Sequence, residues 1–250
     1  DLRPTRDGNG VRWEYLLAGD AAGYYDSTGA SIPDNAITSD DINAVNSAIF
    51  TVVGDTLYNT YADINRDGIV NASDKDFATA NQTDNRGSVG DIRPVFPSFK
   101  QALVLKEGSN AEAVVSFEGL PEKAIPVGTT FDVDLAVTGA RGVRTYELHV
   151  GYDPERLALE DIVSGGSLLQ NYMTDMSGKF SQGEVGVVNS IIGRTPVGAS
   201  GDGSLATVRF RVVGRADETR LSLLSAVLID VEHVPATPRL GEQATVALSG

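Results

Sequence analysis

The chain of 250 residues has no cysteine, so disulfides and thiolate metal sites are excluded. It has two histidines, His149 and His233, and no His-Glu-x-x-His pattern typical of zinc hydrolases. His149 lies among predicted strand residues and is interpreted as a structural histidine. No stretch approaches the ~18 consecutive apolar residues that mark a membrane-spanning helix. These absences argue against an enzyme and against membrane insertion.

Basic residues are scarce, at 20 against 34 acidic residues, which gives a formal net charge of −14. The excess is densest in residues 1–93, where 15 acidic and 7 basic residues leave a net of −8. Such a charge repels nucleic acid and anionic membranes, and it favours solubility and calcium. We therefore expect no nucleic-acid partner.

The strongest motif is the twelve-residue stretch 63–74, which reads DINRDGIVNASD. A hard cation such as Ca²⁺ takes about six to eight oxygen ligands, and a tight loop supplies them from alternating positions. Gly68, at loop position 6, permits the sharp turn that this spacing needs. The predicted ligands are the side chains of Asp63, Asn65, Asp67, Asn71 (through water) and Asp74, and the carbonyl oxygen of Ile69.

This loop ends in Asp74 rather than in the glutamate usual in EF-hands, and no long helix precedes it. With the ending Val-Asn-Ala-Ser-Asp at 70–74, it resembles the loop-plus-helix repeat of dockerins. That resemblance implies a small α module with paired F-hand repeats, two bound Ca²⁺ and a cohesin partner. By motif match, the partner-contacting residues at loop positions 10 and 11 would be Ser39 and Asp40 in the first repeat, and Ala72 and Ser73 in the second.

The first repeat is irregular. Residues 34–41 reproduce positions 5 to 12, and Asp41 lies 33 residues before Asp74. Ala22 stands where a ligand belongs, and about ten residues, 24–33, are inserted. In one alternative the insertion loops out while Asp20, Asp34, Thr38 and Asp41 still bind calcium. In the others, Asp26 moves into the site, or the site has lost its metal. The predicted first-loop ligands are Asp20, Asp26, Asp34, the carbonyl of Ala36, Thr38 and Asp41.

Short helices are predicted in the first part and strands in the second. Ile42, Val45 and Ile49 lie at i, i+3 and i+7, a helical face, and a second helix is predicted over 74–81 with Phe77 and Ala78 inward. After about residue 111 the period changes to two, as in residues 131–137, 146–152 and 206–212. Further strands are expected near 113–118, 157–163, 184–192, 221–231 and 243–248. Many short alternating strands between turns indicate an all-β antiparallel sandwich.

Two runs in the second half carry a further resemblance. Residues 146–154 read YELHVGYDP and are followed by Leu157 and Leu159, and residues 201–210 read GDGSLATVRF. The "strand, Tyr-Asp-Pro, Leu-x-Leu" and "Gly-Asp-Gly, Leu-Ala, strand" orders are similar to those of cohesins. The resemblance implies a jelly-roll-type sandwich that binds dockerins rather than a catalytic domain.

The expected organisation is an N-terminal segment 1–13, a dockerin-like module 14–93, a connector 94–110 and a cohesin-like sandwich 111–250. Together the two resemblances imply a secreted, extracellular structural protein that self-associates head to tail into filaments through calcium-dependent docking. A scaffold adaptor that links different dockerin- or cohesin-bearing proteins is the alternative. A carbohydrate-binding module is the second alternative, disfavoured because the only tryptophan, Trp13, lies outside the sandwich.

Overall fold

A computed structural model describes residues 2–7, 10–15, 21, 23–25, 31–33, 37–82, 109–193 and 197–249. The chain divides into two compact units, one of Asp1–Leu105 with Ile192–Thr195 and the other of Lys106–Ile191 with Pro196–Gly250. The predicted connector lies outside the described residues except for Ser109 and Asn110. In the described part of the chain, no helix is both long and apolar enough to cross a bilayer.

The first unit contains helices and short paired strands. Its elements are β1 (Leu2–Asp7), β2 (Gly10–Tyr15), β3 (Gly23–Tyr25), β4 (Ser31–Pro33), α1 (Ser39–Ala48), β5 (Thr51–Val52), β6 (Ile69–Val70) and α2 (Ala72–Asn81). The strands pair antiparallel as β1 with β2, β3 with β4 and β5 with β6. The sequence predicted the two helices but not β3 to β6, because two or three residues are too few to show a period of two.

Both helices begin with a reciprocal cap. Thr38 and Asn71 are the N-cap residues, and their side chains accept hydrogen bonds from backbone N–H groups of the first turn. In return, Asp41 and Asp74 accept from the backbone N–H groups of these caps, at 2.7 and 2.9 Å. This capping box satisfies donors that a helix start otherwise leaves unpaired. It also ties the end of each predicted calcium loop to the start of a helix.

The residues predicted to point inward on the two helices are buried. Ile42, Val45 and Ile49 are buried, and so are Phe77 and Ala78. The helices contact each other, and α2 also contacts β6. The apolar spacing therefore gives the correct side of α1, whereas nine of the ten residues of α2 are buried and no single inward face stands out there.

The second unit is a β-sandwich, as the alternating pattern predicted. Its strands are β7 (Val114–Glu118), β8 (Ile125–Pro126), β9 (Thr130–Tyr152), β10 (Leu157–Ser164), β11 (Thr174–Ser181), β12 (Glu184–Ile191), β13 (Ala199–Val212), β14 (Glu218–Asp230), β15 (Pro235–Ala236), β16 (Arg239–Leu240) and β17 (Ala244–Ser249). All pairs are antiparallel except β16 with β7 and β17 with β8, which are parallel.

The 23-residue strand β9 belongs to both layers of the sandwich. Its first part pairs with β7 and β13, and β13 also pairs with β10. Its second part pairs with β12 and β14, which continue to β11 and β17. The register shifts between the two parts, where Gly139 and Gly142 have positive φ angles of 76° and 58° that glycine adopts without strain. One bent strand thus links the two faces that enclose the core.

The core is built from the residues that alternate inward along these strands. Its largest members include Tyr146, Leu148, Phe210, Leu221 and Leu228, all at most 1% exposed. The ring of Phe210 lies 5.9 Å from that of Phe131 and 5.3 Å from that of Tyr152. Aromatic rings at such distances stabilise each other beyond the burial of their surface. The period of two read from the sequence therefore selects the correct inward side chains.

Candidate functional site

The loop of residues 63–74 has the local turns that its sequence predicts. Asn65 Oδ1 accepts a hydrogen bond from the N–H of Asp67, and Asp67 Oδ1 accepts one from the N–H of Ile69, both at 2.9 Å. Asx turns of this kind form when the side chain of Asn or Asp bonds to the backbone two residues later. Gly68 has a φ of 90°, a left-handed conformation suited to glycine. The chain therefore turns where the motif requires it.

Asp74 closes this loop. Its Oδ1 accepts hydrogen bonds from the N–H groups of Ile64 and Asn65 at 2.7 and 3.2 Å, and its Oδ2 accepts one from Asn71 at 2.9 Å. The side chain is fully buried. Burial raises the pKa of Asp74 to about 7, and the negative charge of Asp63 adds to this, although the backbone hydrogen bonds act in the opposite direction. A buried carboxylate with a raised pKa is stabilised in its charged form by a nearby cation.

Asp63 has one oxygen in use and one without a partner. Its Oδ2 accepts hydrogen bonds from the hydroxyl of Tyr58 at 2.6 Å and from the N–H of Gly68 at 3.0 Å. Its Oδ1 has no hydrogen-bond partner, even though the atom is buried and the whole residue is only 4% exposed to solvent that could supply one. Burial and the bond to Asp63 raise the pKa of Tyr58 to about 12, so its hydroxyl keeps its proton and donates. An unpaired buried carboxylate oxygen is costly unless a ligand satisfies it.

The donor set of the loop fits a hard cation. It offers carboxylates of Asp63, Asp67 and Asp74, the amide oxygen of Asn65 and the carbonyl of Ile69, all oxygen donors as Ca²⁺ requires. In this structure, the described residues include no group of three or more His, Cys, Asp and Glu side chains gathered around one point. The carboxylates instead accept hydrogen bonds from backbone N–H groups, from the Tyr58 hydroxyl and from the side-chain amide of Asn65. The unpaired Oδ1 of Asp63 is the observation that favours an additional ligand.

The first loop closes on Asp41 by the same two contacts as the second loop on Asp74. Asp41 Oδ2 accepts from the N–H of Thr38 at 2.7 Å, and its Oδ1 accepts from the N–H of Ala21 at 2.6 Å. Ala21 directly follows Asp20, as Ile64 directly follows Asp63. Asp41 is only 1% exposed. The other predicted ligands of this loop, Asp20, Asp26, Asp34 and Ala36, lie outside the described residues.

The inserted segment accounts for the difference in loop length. The paired residues are 20 positions apart in the first loop and 10 in the second. Strands β3 and β4 form a pair within the insertion, with Gly23 opposite Pro33. The ends of a hairpin lie side by side, so subtracting the ten inserted residues 24–33 leaves a separation of 20 − 10 = 10. The two loops are then closed at equivalent positions.

The predicted partner-contacting residues lie at the starts of the two helices. Ser39 and Asp40, in the first turn of α1, are exposed. In the first turn of α2, Ser73 is half-buried and Ala72 is buried. The exposed pair is therefore the better place for a substitution that leaves the fold unchanged.

A groove on the sandwich was not visible in the sequence. It has a volume of about 640 Å³ and is lined by the end of β9, the turn between β11 and β12, and the start of β14. Its charged residues are Asp153, Glu184, Glu218 and Arg220, a net of −2 from three acidic groups and one basic group. The groove joins segments far apart in the chain, so no local motif could have indicated it.

Leu224 supplies the apolar part of this groove and is 51% exposed. The pairing of β14 with β9 shifts between Leu223 and Ser225, so a bulge places Leu224 outside the regular ladder. A side chain on the neighbouring Gly151 would come within 3.1 Å of Leu224 Cδ2, so the two positions lie close together. A single exposed leucine is common on protein surfaces, so Leu224 is of interest only because it lies in a concave groove with charged residues.

His149 lies next to this groove, on β9. Its Nδ1 is 2.8 Å from Glu184 Oε1 and its Nε2 is 3.0 Å from Glu147 Oε1. The hydrogen bond to Glu147 raises the pKa of His149, burial lowers it, and the bond to Glu184 raises it further, so the net change is upward. With a carboxylate at each ring nitrogen, His149 links neighbouring strands, in keeping with its prediction as a structural residue.

The chain is similar to several solved structures of cohesin modules. A search of curated proteins found no match. Among solved structures, similar folds include a non-cellulosomal cohesin from the archaeon Archaeoglobus fulgidus, with 24% identity and a TM-score of 0.45 over 56% of this chain and 93% of that one. A cohesin module of a Clostridium perfringens family 33 glycoside hydrolase has 17% identity and a TM-score of 0.45, over 56% of this chain and 98% of that one.

The cohesin resemblance predicted from the sequence is confirmed by a family model. The model described as "Cohesin domain" matches residues 106–236, which is 131 of the 250 residues. The match includes strands β7 to β15 and most of the core. It covers more than half of the chain, and the protein therefore belongs to the cohesin family.

Proposed function

We propose that this protein is a non-catalytic, extracellular assembly protein whose copies join head to tail. The first unit would be a calcium-loaded dockerin-like module, and it would dock on the cohesin domain of the next copy. Cohesin domains mediate protein–protein docking with dockerins. A chain that carries both partners can therefore bind other copies of itself.

The observation that carries this proposal is the matched closure of the two loops. In each loop the final aspartate, Asp41 or Asp74, accepts hydrogen bonds from the backbone N–H of its N-cap residue and from the backbone N–H of the residue at position 2. This equivalence supports an internal repeat of the dockerin type, with the inserted hairpin looped out of the first copy. It also favours Asp20 as the first ligand of that loop over the alternatives.

Calcium would make docking electrostatically possible. Residues 63–74 contain three aspartates and one arginine, a net of −2, and one bound Ca²⁺ brings this to zero. The groove on the cohesin domain also has a net charge of −2. Two acidic surfaces repel each other when they meet, so removal of calcium should prevent the contact. Calcium would stabilise the module and also lower its repulsion from the partner.

Head-to-tail growth follows from the placement of the two partner surfaces on different parts of one chain. Such a heterologous contact produces open filaments unless the rotation between copies closes a ring. On the module, we assign the contact to the helix start that contains Ser39 and Asp40, which are exposed. On the cohesin domain, we assign it to the groove beside Leu224, which offers apolar area within a charged rim.

The test uses two variants of the intact chain, each defective in one surface. In Leu224→Glu the groove is disabled. In the double variant Asp63→Ala/Asp67→Ala the second loop loses two calcium ligands and its net negative charge, so loss of assembly in that variant would reflect the calcium-dependent fold of the module rather than repulsion. Sedimentation velocity with calcium should show large species for the wild type and monomers for each variant alone. A mixture of the variants should form a dimer and nothing larger, because only one contact per pair remains. Val163→Glu, at an exposed position on β10 in the other layer, is the matched control and should assemble like the wild type.

A wild type that remains monomeric with calcium present would refute head-to-tail assembly and leave the scaffold adaptor as the function. In that case the chain should bind a separate dockerin or cohesin in a calcium-dependent manner. Leu224→Glu should lose binding of the dockerin, and the loop variant should lose binding of the cohesin. The carbohydrate-binding alternative would be favoured if a binding isotherm showed that the full chain binds polysaccharide and if neither variant weakened that binding.

A further inference from the structure

Tyr58 lies between α1 and the second loop, outside the twelve residues of the motif. Its backbone N–H donates to the carbonyl of Asp55 at 3.1 Å, which places it at the end of a turn. The next residue, Asn59, accepts hydrogen bonds at its carbonyl from the N–H groups of Ala62 and Asp63, at 3.0 and 3.1 Å. Two successive turns therefore return the chain so that the start of the loop lies beside Tyr58.

The hydroxyl of Tyr58 is one of two hydrogen-bond donors to a single oxygen of Asp63. That oxygen, Oδ2, accepts from the tyrosine hydroxyl at 2.6 Å and from the N–H of Gly68 at 3.0 Å. The other oxygen, Oδ1, is buried and unpaired. Two donors from different parts of the chain hold the carboxylate at one edge, so the side chain loses the rotational freedom that it would otherwise have. Only Oδ1 is then available to a ligand.

We propose that Tyr58 is a positioning residue for calcium: it holds Asp63 so that the first ligand of the loop presents Oδ1 to the ion. This inference rests on the calcium site proposed above. A neutral hydroxyl donor suits the task because it orients the carboxylate without bringing a positive charge that would compete with the cation. Removing a residue that hydrogen-bonds to a metal ligand typically lowers the metal affinity by about 10- to 100-fold.

The Tyr58→Phe variant isolates the hydroxyl, because phenylalanine keeps the ring and its packing. If Tyr58 only supports the turn through its ring, this variant should behave like the wild type. The matched control is Tyr172→Phe, which removes a hydroxyl that lies 3.4 Å from the carbonyl of Gly198 in the cohesin domain. Asp63→Ala serves as the reference for a loop without its first ligand.

The measurement is a calcium-buffered titration of the full chain followed by NMR at the amide of Gly68. That amide donates to the same carboxylate, so it reports directly on the second loop. In the metal-free chain, its resonance should shift in Tyr58→Phe and stay unchanged in Tyr172→Phe. The dissociation constant for Ca²⁺ should rise about 10- to 100-fold in Tyr58→Phe and stay at the wild-type value in Tyr172→Phe.

The possible failures are distinguishable. If the wild-type Gly68 amide responds to calcium and Tyr58→Phe has the same dissociation constant, the role of Tyr58 is refuted and the calcium site stands. In Asp63→Ala the Gly68 amide is expected not to respond to calcium. If the wild-type amide also fails to respond, both the second-loop site and the role of Tyr58 are refuted.

Discussion

Removal of calcium is expected to destabilise the first unit and leave the cohesin domain unchanged. In the metal-free loop, the buried Oδ1 of Asp63 has no partner, and the buried carboxylate of Asp74 is destabilised by the charge of Asp63. A bound cation would satisfy the first group and offset the repulsion between the two. The cohesin domain has its own core of strand residues and should not depend on this loop.

The size of the effect can be worked out from binding and from burial. An unsatisfied buried polar atom such as Asp63 Oδ1 costs about 1–3 kcal/mol, and more when the group is charged. A ligand that binds only the folded state contributes about 2.7 kcal/mol at a free concentration 100 times its dissociation constant. In a domain of about 100 residues each kcal/mol moves the melting temperature by about 4–8 °C. Excess calcium should therefore raise the melting temperature of the first unit by about 10–20 °C.

Scanning calorimetry of the intact chain, with chelator and with excess calcium, is the assay. Phe210→Ala identifies the cohesin transition, because it changes the core of that unit alone. In Asp63→Ala the calcium response should shrink, whereas Glu122→Ala, which removes an exposed acid from the cohesin domain, should keep it. Identical transitions with and without calcium in the wild type would show that the loop does not take up the ion.

Two further predictions concern the cohesin domain. Phe210→Ala should lower its free energy of unfolding by about 3–5 kcal/mol in urea denaturation, because a buried ring is lost. A loss similar to that of an exposed substitution would contradict the assigned core. The raised pKa of His149 implies stability that is complete below its unfolded value of about 6.5 and is lost as the pH rises through the folded value. This decline in melting temperature should be smaller in Glu147→Gln; an equal decline would show that His149 is not its source.

Local features of this protein follow from the sequence. The loop at 63–74 could be predicted because Asx turns and a left-handed glycine involve only residues two to five positions apart. The inward faces of α1 and of the long strands could be predicted because the period of a helix or strand places every third, fourth or second side chain on one side. The cohesin resemblance could also be predicted, because it depends on the order of strand and turn motifs along the chain.

Strand β11 shows where such patterns fail. Its sequence TDMSGKFS has no alternation, and half of its residues are exposed. It forms because β12 offers a complete ladder of partners, from Thr174 opposite Ile191 to Ser181 opposite Glu184. Backbone pairing with a neighbour can outweigh the preference of the residues themselves.

The sequence by itself determined which side chains form the core of the sandwich and which family the second half resembles, and it predicted the candidate calcium ligands. Tertiary structure alone decided that Tyr58 bonds to Asp63, that Ala21 reaches Asp41 across 20 residues, and that the groove beside Leu224 exists. The physical reason is separation along the chain. Period and turn chemistry act between near neighbours, whereas these contacts depend on how distant segments are brought together by the whole fold.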